Sequence, residues 1–185
     1  MFEAIRFVDP DGKVGYYTPQ GENLRKAFLK SPVEFTRISS VFNPRRKHPI
    51  LNRIRAHNGV DYAAPSGTPV RAAGEGRVSF RGVKGGYGNV VEIEHAGRIV
   101  TRYGHLSRFA KGLAPGRRIH QGEVIAYVGK TGLATGPHLH FEFMVKGAYQ
   151  DPQAAMRSAK AAEPLPAPLL ADLRARAGPL LAGLD

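Results

Sequence analysis

Four short runs in the middle of the chain have the pattern of β-strands and are separated by turns that contain glycine. They are GRVSFRG (76–82), GNVVEIEH (88–95), GEVIAYVG (122–129) and HLHFEFMV (138–145). Alternation with a period of two residues places side chains on opposite faces of an extended chain. No helical pattern of about 12 residues separates the runs, so we predict a mainly β fold with an antiparallel sheet or barrel.

Changes in composition divide the sequence into three zones. Residues 1–34 predict a short strand or hairpin and then a brief helix that ends at Pro32, either as an extension or as part of an upstream domain. Residues 35–152 hold the predicted strands, and the dipeptide Ala96-Gly97 predicts a two-residue hairpin turn. Residues 153–185 are rich in alanine, proline and leucine, which is compatible with short helices or with disorder.

The composition excludes several kinds of site. The chain has no cysteine, which rules out disulfides, thiolate metal sites and cysteine nucleophiles. No apolar run approaches the roughly 18 residues of a membrane span, and the N-terminal residues lack the apolar core of a signal peptide. The net charge of +12 indicates an anionic partner. Nucleic acid is disfavoured, because no aromatic residues interleave with the one basic cluster, at 44–49.

Two histidines share one face of the last predicted strand. His138 and His140 are two residues apart, so their side chains point the same way. The other face carries an apolar row that fixes the register of the strand against a core: Leu139, Phe141, Phe143 and Val145. Two imidazoles on one face can converge on one metal ion or one water molecule, whereas an isolated pair is more often half-exposed.

Two upstream motifs place further ligand-type residues near strand ends. HNGVD holds His57 and Asp61 four residues apart, and YGHLS holds His105 at the end of another predicted strand. Together with one histidine of the HLH pair, His57 and Asp61 make a set of nitrogen and carboxylate ligands that zinc prefers, with a fourth position open for water. The residues alone leave open which of His138 and His140 is the ligand.

The order of these motifs resembles that of the lysostaphin/LytM-type zinc endopeptidases, which cut peptidoglycan. H-x(3)-D, then Y-x-H-L, then H-L-H-F-E follow one another, and GVDYAAPSGTPVRAAGEGRV, GGYGNVVEIEH and GKTGLATGPHLHFE match the flanking sequences. The similarity covers residues 35–152. The segment before it resembles the Gram-negative murein DD-endopeptidase branch. The resemblance implies a LytM-type catalytic domain, a β-sheet groove with the metal at its floor.

The resemblance also assigns roles to the residues. It makes His57, Asp61 and His140 the ligands of one Zn²⁺ per chain, with His105 and His138 lining the open coordination position. The sequence contains no H-E-x-x-H motif, so an imidazole has to take the proton of the attacking water and return it to the leaving amine. The second imidazole would stabilise the oxyanion. The assignment of these two tasks between His105 and His138 stays open.

Other residues have weaker claims to a role in the site. Three are candidates for shaping a substrate groove: Asn43, Asn89 and Tyr103. Glu142 either orients an imidazole or faces solvent. YVGKTG (127–132) lacks the first glycine of a phosphate-binding loop, because Val124 occupies that position. Surface or capping positions are predicted for the remaining histidines, His48, His95 and His120.

The resemblance implies hydrolysis of the cross-links between D-alanine and meso-diaminopimelate of peptidoglycan. It implies a periplasmic or cell-envelope location, with a targeting segment outside this chain, and it leaves room for a regulatory envelope protein as partner. Two alternatives stay open. One is a LytM-type domain without activity that activates a cell-wall amidase, and the other is a glycyl-glycine endopeptidase or phage lysin.

Overall fold

The computed structural model describes residues 4–12, 14–24, 26–45, 56–159 and 164–181. His48 and most of the basic cluster at 44–49 lie outside these ranges. The strands are β1 Ile5–Val8, β2 Val14–Tyr17, β3 Arg37–Ser40, β4 Val60–Ala63, β5 Pro69–Arg71, β6 Gly76–Lys84, β7 Gly88–His95, β8 Ile99–Phe109, β9 Arg118–Ile119, β10 Val124–Val128, β11 His138–Val145 and β12 Ala148–Gln150. The helices are α1 Pro152–Ser158 and α2 Ala167–Leu181.

The larger of two compact units, Phe28–Ser158, is built around one antiparallel sheet. Its strands follow the order β3-β4-β11-β8-β7-β6-β9, with β12 paired to β11 and β10 joining β5 to β8. The prediction of a mainly β, antiparallel fold is therefore confirmed. The strand that carries the HLH motif, β11, lies in the interior of the sheet between β4 and β8.

Both faces of β11 are buried. The predicted apolar row is present on one face, where Leu139 and Phe141 are fully buried and Phe143 is nearly so. The opposite face carries His140 and Glu142, and Glu142 is only 1% exposed. The alternative of a solvent-facing Glu142 is therefore wrong, because β8 and the turn before β7 supply polar partners that cover it.

Strand β8 pairs with β7 along one edge, and on its other edge the neighbouring strand changes at His105. Residues Ile99–Gly104 pair with β11, whereas Leu106–Phe109 pair with β10. His105 itself has a backbone φ of 58°, in the left-handed region. That conformation costs a non-glycine residue roughly 1–2 kcal/mol. The strained residue thus lies at the point where β8 passes from one neighbour to the other.

A buried chain of hydrogen bonds explains two residues that the sequence misplaced. Tyr103 is fully buried, and its hydroxyl accepts a hydrogen bond from the Ala73 N–H at 2.9 Å and shares one with Thr101 at 3.0 Å. His95, for which a surface or capping position was predicted, is buried as well, with Nε2 2.8 Å from Thr101 Oγ1 and Nδ1 2.6 Å from the Glu75 carbonyl oxygen. The structure therefore places Tyr103 in the core and not in a groove.

Two local predictions from the sequence are wrong. No helix forms before Pro32 in the described residues, because Leu29 donates a backbone hydrogen bond to Ala73 and Phe28 bridges Gly74. Pairing with a neighbouring segment outweighs local helix propensity there. The turn between β7 and β8 contains the three residues Ala96–Arg98 and not two.

The smaller unit combines Met1–Ala27 with Ala159–Asp185. Its β1–β2 hairpin contributes Phe7 and Tyr17 to a small core, and the C-terminal segment contributes Leu165 and Leu173. The tail predicted to form short helices or to be disordered is partly helical, because it contains α2. In the described part of the chain, neither helix combines the length and the apolar character needed to cross a membrane.

We expect Tyr103→Phe to lower the free energy of unfolding by about 1–3 kcal/mol, because the buried Ala73 N–H loses its acceptor. Urea unfolding followed by circular dichroism measures the loss. Tyr127→Phe is the matched control, since the Tyr127 hydroxyl makes no hydrogen bond within the described residues. Equal stability of the two variants would contradict a structural role for the Tyr103 hydroxyl.

Candidate active site

The pairing of β4 with β11 places Asp61 directly opposite His140. The Nδ1 atom of His140 lies 2.7 Å from Asp61 Oδ1. On the other side of β11, His140 lies opposite Gly104 of β8. The sequence separates Asp61 from His140 by 79 positions, and the antiparallel register alone brings the two side chains together.

His57 reaches the same point from the segment before β4. Its backbone N–H and C=O both bond to Asn43, and its ring Nδ1–H donates to the Val41 carbonyl oxygen at 2.8 Å. The turn that follows needs a glycine, because a Cβ on Gly59 would lie 2.5 Å from the Phe141 carbonyl oxygen and 2.9 Å from the ring of His140. The HNGVD motif is therefore compact enough to place His57 and Asp61 together.

The three residues fit a metal ion. One ligand atom from each of His57, Asp61 and His140 lies within 4.8 Å of the other two. The Nε2 atom of His57 is buried, makes no hydrogen bond with the described residues, and lies 3.2 Å from Asp61 Oδ1. Since Nδ1 of His57 donates to a carbonyl oxygen, Nε2 carries a lone pair in the neutral ring. The lone pair on His57 Nε2 is buried, accepts no hydrogen bond from the described residues and lies beside a carboxylate, so it is well placed to bind a metal cation.

The electrostatics of the cluster reflect strong coupling between its members. Burial opposes ionisation of Asp61, but the hydrogen bond from His140 and the proximity of His57 hold the pKa of its carboxyl well below the usual range. Burial by itself would lower the pKa of His140, but hydrogen bonds to Asp61 and Glu142 outweigh it and raise the pKa to about 9. The cluster thus favours the charged forms of both groups, with a negative charge on Asp61 and a positive charge on His140.

Two further histidines stand beside the cluster with their rings fixed in the same way. Nδ1–H of His105 donates to the Thr131 carbonyl oxygen and Nδ1–H of His138 to the Gly136 carbonyl oxygen, both at 2.8 Å. In the neutral rings the Nε2 atoms therefore carry the lone pairs. The ring centres of His105 and His138 are 4.6 Å apart, and His138 Nε2 lies 3.7 Å from Asp61 Oδ1. Burial lowers the pKa of His105, which favours its neutral form.

The five candidate catalytic and metal-binding residues are thus brought together, whereas the three weaker candidates are not in equivalent positions. Asn43 is exposed and holds His57 through its backbone. The side-chain amide of Asn89 donates to the Leu106 carbonyl oxygen at 3.0 Å, and its backbone N–H donates to Thr131. Tyr103 is in the core. None of these three side chains is among the residues that line the open cavity over the site.

That cavity has a volume of about 290 Å³. His105, His140 and Glu142 form part of its lining. The other lining residues come from the segment before β4 and from the rim loops: Ala56, Asn58, Gly86, Tyr87 and Leu133. The sequence contains no pattern that identifies Tyr87 or Leu133 as lining residues. The two residues come from different loops, and these loops meet only in the folded chain.

Comparison with known proteins finds a clear sequence relationship. The model of peptidase family M23 matches residues 55–152. The peptidoglycan DD-endopeptidase ShyC of Vibrio cholerae is 46% identical over 143 residues, which cover 77% of this chain and 33% of ShyC. The DD-carboxypeptidase/endopeptidase Mpg of Neisseria meningitidis is 49% identical over 144 residues, which cover 78% and 31%. This chain therefore spans about a third of the length of these relatives.

Solved structures show the same relationship in three dimensions. A zinc-containing peptidase from Vibrio cholerae superposes with a TM-score of 0.67 at 38% identity, covering 87% of this chain and 47% of that one. The catalytic domain of lysostaphin from Staphylococcus simulans gives a TM-score of 0.58 at 30% identity, covering 66% and 92%. The likeness thus includes both Gram-negative and staphylococcal proteins.

The cluster predicts that the folded chain binds one divalent metal ion. Asp61→Asn should weaken binding by at least about a hundredfold, because the central anionic ligand is lost while the shape of the side chain is kept. Competition with a chromophoric chelator measures the affinity. Asp172→Asn, which alters an exposed carboxylate paired with Arg176, is the control. Equal affinities of the two variants would place the metal elsewhere.

Proposed function

The chain belongs to peptidase family M23, and we propose on this basis that it is a zinc endopeptidase that hydrolyses the peptide cross-links of peptidoglycan. The bond that we assign is the one between D-alanine and meso-diaminopimelate. The names of two Gram-negative relatives support this choice: ShyC is named a peptidoglycan DD-endopeptidase, and Mpg is named a DD-carboxypeptidase/endopeptidase. The same relatives support a periplasmic location.

The observation that carries the proposal is the convergence of five side chains, of which His105 and His140 line one open cavity. His57, Asp61 and His140 supply two nitrogen ligands and one oxygen ligand, a set that suits tetrahedral zinc with one position open. His105 and His138 are held beside this set by backbone carbonyls. The proposal assigns the first three to zinc and the last two to proton transfer.

When bound, zinc polarises a peptide carbonyl and lowers the pKa of water towards about 7. The chain's own residues supply the proton transfers. Because the Nδ1–H groups of His105 and His138 are fixed on carbonyl oxygens, Nε2 carries the lone pair in each neutral ring. We propose that one of the two rings accepts a proton there from the attacking water and returns it to the leaving amine. The ring that holds a proton on Nε2 can donate it to the oxyanion.

The substrate class agrees with the charge of the chain. Peptide stems that carry diaminopimelate have free carboxylates, and a net charge of +12 favours association with such a polymer. An open cavity also suits a polymer better than an enclosed pocket would, because the strand of substrate has to pass through the site. A regulatory envelope protein remains a proposed partner that no observation on this chain identifies.

The first test removes the two proposed proton-transfer groups. His105→Ala and His138→Ala should each lower the rate of digestion of cross-linked muropeptides by about 10²–10⁴-fold while zinc content stays at one per chain. His120→Ala, at an exposed histidine, is the matched control and should leave the rate unchanged. Near-normal turnover in both variants, with zinc bound, would reject the mechanism.

The second test addresses the class of activity. A chelator should abolish digestion of D-alanyl–diaminopimelate dimers, and added zinc should restore it, as chromatography of the products shows. A folded chain that binds no zinc and leaves the dimers intact would favour an activator of an amidase. Cleavage of pentaglycine in place of the dimers would favour a glycyl-glycine endopeptidase.

A further inference from the structure

Glu142 is a buried carboxylate whose two oxygens both have partners. Oε1 accepts hydrogen bonds from the Tyr87 hydroxyl at 2.8 Å and from His140 Nε2 at 3.0 Å. Oε2 accepts one from Arg102 Nη1 at 2.6 Å. Removing such a group from water is costly unless its oxygens are satisfied, and here they are. The carboxylate is thus a built feature of the site and not a surface charge.

The contact with Glu142 holds a proton on Nε2 of His140. A carboxylate only accepts hydrogen bonds, so Nε2 has to be the donor. Nδ1 lies 2.7 Å from Asp61 Oδ1, which is also a carboxylate oxygen, so Nδ1 donates as well while no metal ion is bound. A metal ion held where the proposed zinc ligands meet would replace the proton on Nδ1, and the neutral ring would keep its one proton on Nε2, where Glu142 accepts it. The opposite tautomer would place the hydrogen atom on Nδ1 and block coordination.

Arg102 holds Glu142 in place and belongs to a row of charges that crosses four strands. Arg102 of β8 lies opposite Glu142 of β11 on one side and Glu92 of β7 on the other. Its guanidinium contacts both carboxylates at 2.6 Å, and Lys84 completes the row at 2.8 Å from Glu92. The contact with Arg102 therefore fixes the position of the Glu142 oxygens relative to His140.

We propose that Glu142 is a positioning residue that selects the tautomer of His140 able to bind zinc, and that Arg102 fixes Glu142 for this task. The inference rests on the proposed function, because it takes His140 as a zinc ligand. It separates Glu142 from Glu92, since the two share Arg102 but only Glu142 contacts the ring. If both glutamates served only as structural salt-bridge partners of Arg102, substitution of either one would have the same effect on zinc affinity.

Glu142→Gln tests the proposal with almost no change in shape. Arg102 requires an acceptor, so the amide oxygen of glutamine faces Arg102 and the amide NH₂ group faces His140. The NH₂ group then donates to Nε2, which moves the ring proton to Nδ1. We expect zinc affinity of the full chain to fall by about 10–100-fold, measured by competition with a chromophoric chelator.

Glu92→Gln is the matched control, because it weakens the same row without touching His140. Its zinc affinity should stay within about twofold of wild type. Equal losses in the two variants, or no loss in Glu142→Gln, would overturn the proposal. If Glu142→Gln does not fold, Glu142→Asp keeps the charge but is one methylene shorter. It should lose about tenfold in affinity, and wild-type affinity would overturn the proposal.

Nuclear magnetic resonance gives a readout that a structural role would not move. In the zinc-loaded wild-type chain, long-range proton–nitrogen correlations should show the His140 proton on Nε2, and a proton on Nδ1 would overturn the proposal. These measurements are independent of catalysis. A wild-type chain that binds zinc but leaves muropeptides intact would reject the proposed function alone, whereas active wild type with unchanged Glu142→Gln affinity would reject this inference alone.

Discussion

The site depends on the register between β4 and β11. This register places His140 opposite Asp61, and the apolar residues on the other face of β11 hold it. Because strand side chains alternate, a slip by one position would turn Leu139 towards Asp61 and His140 into the core. Burial of Leu139 and Phe141 contributes about 1.5–3 kcal/mol each. The geometry of the polar site is therefore stabilised largely by apolar packing on the opposite face.

Close backbone approach is the second requirement of the site. Gly59 lets the turn between His57 and Asp61 lie against β11. At the opposite rim, a Cβ on Gly88 would lie 2.4 Å from the backbone of Thr131, whose carbonyl oxygen accepts the hydrogen bond from His105. Gly88 and Gly132, the last residue of YVGKTG (127–132), thus let two loops lie against each other, and one of these loops holds a proposed catalytic ring.

Spacing in the sequence was enough to predict the β class, the two faces of β11 and the five residues that meet at the site. These features depend on periodicity and on motifs whose members are close in sequence. The burial of Glu142, Tyr103 and His95 could not be predicted in this way. Each of the three depends on a partner from another strand or turn, such as Arg102 for Glu142, and that partner is defined only once the order and register of the strands are known.

The means by which the four rings are oriented has a consequence for sequence divergence. His57, His105 and His138 are oriented by main-chain carbonyls of Val41, Thr131 and Gly136, and every amino acid supplies a carbonyl. The orientation of these three rings therefore depends on the path of the backbone and not on the type of the accepting side chain. Both ring nitrogens of His140 are instead oriented by carboxylate side chains, so the orientation of this ring can be lost through a single codon change at position 142 while the fold is left intact.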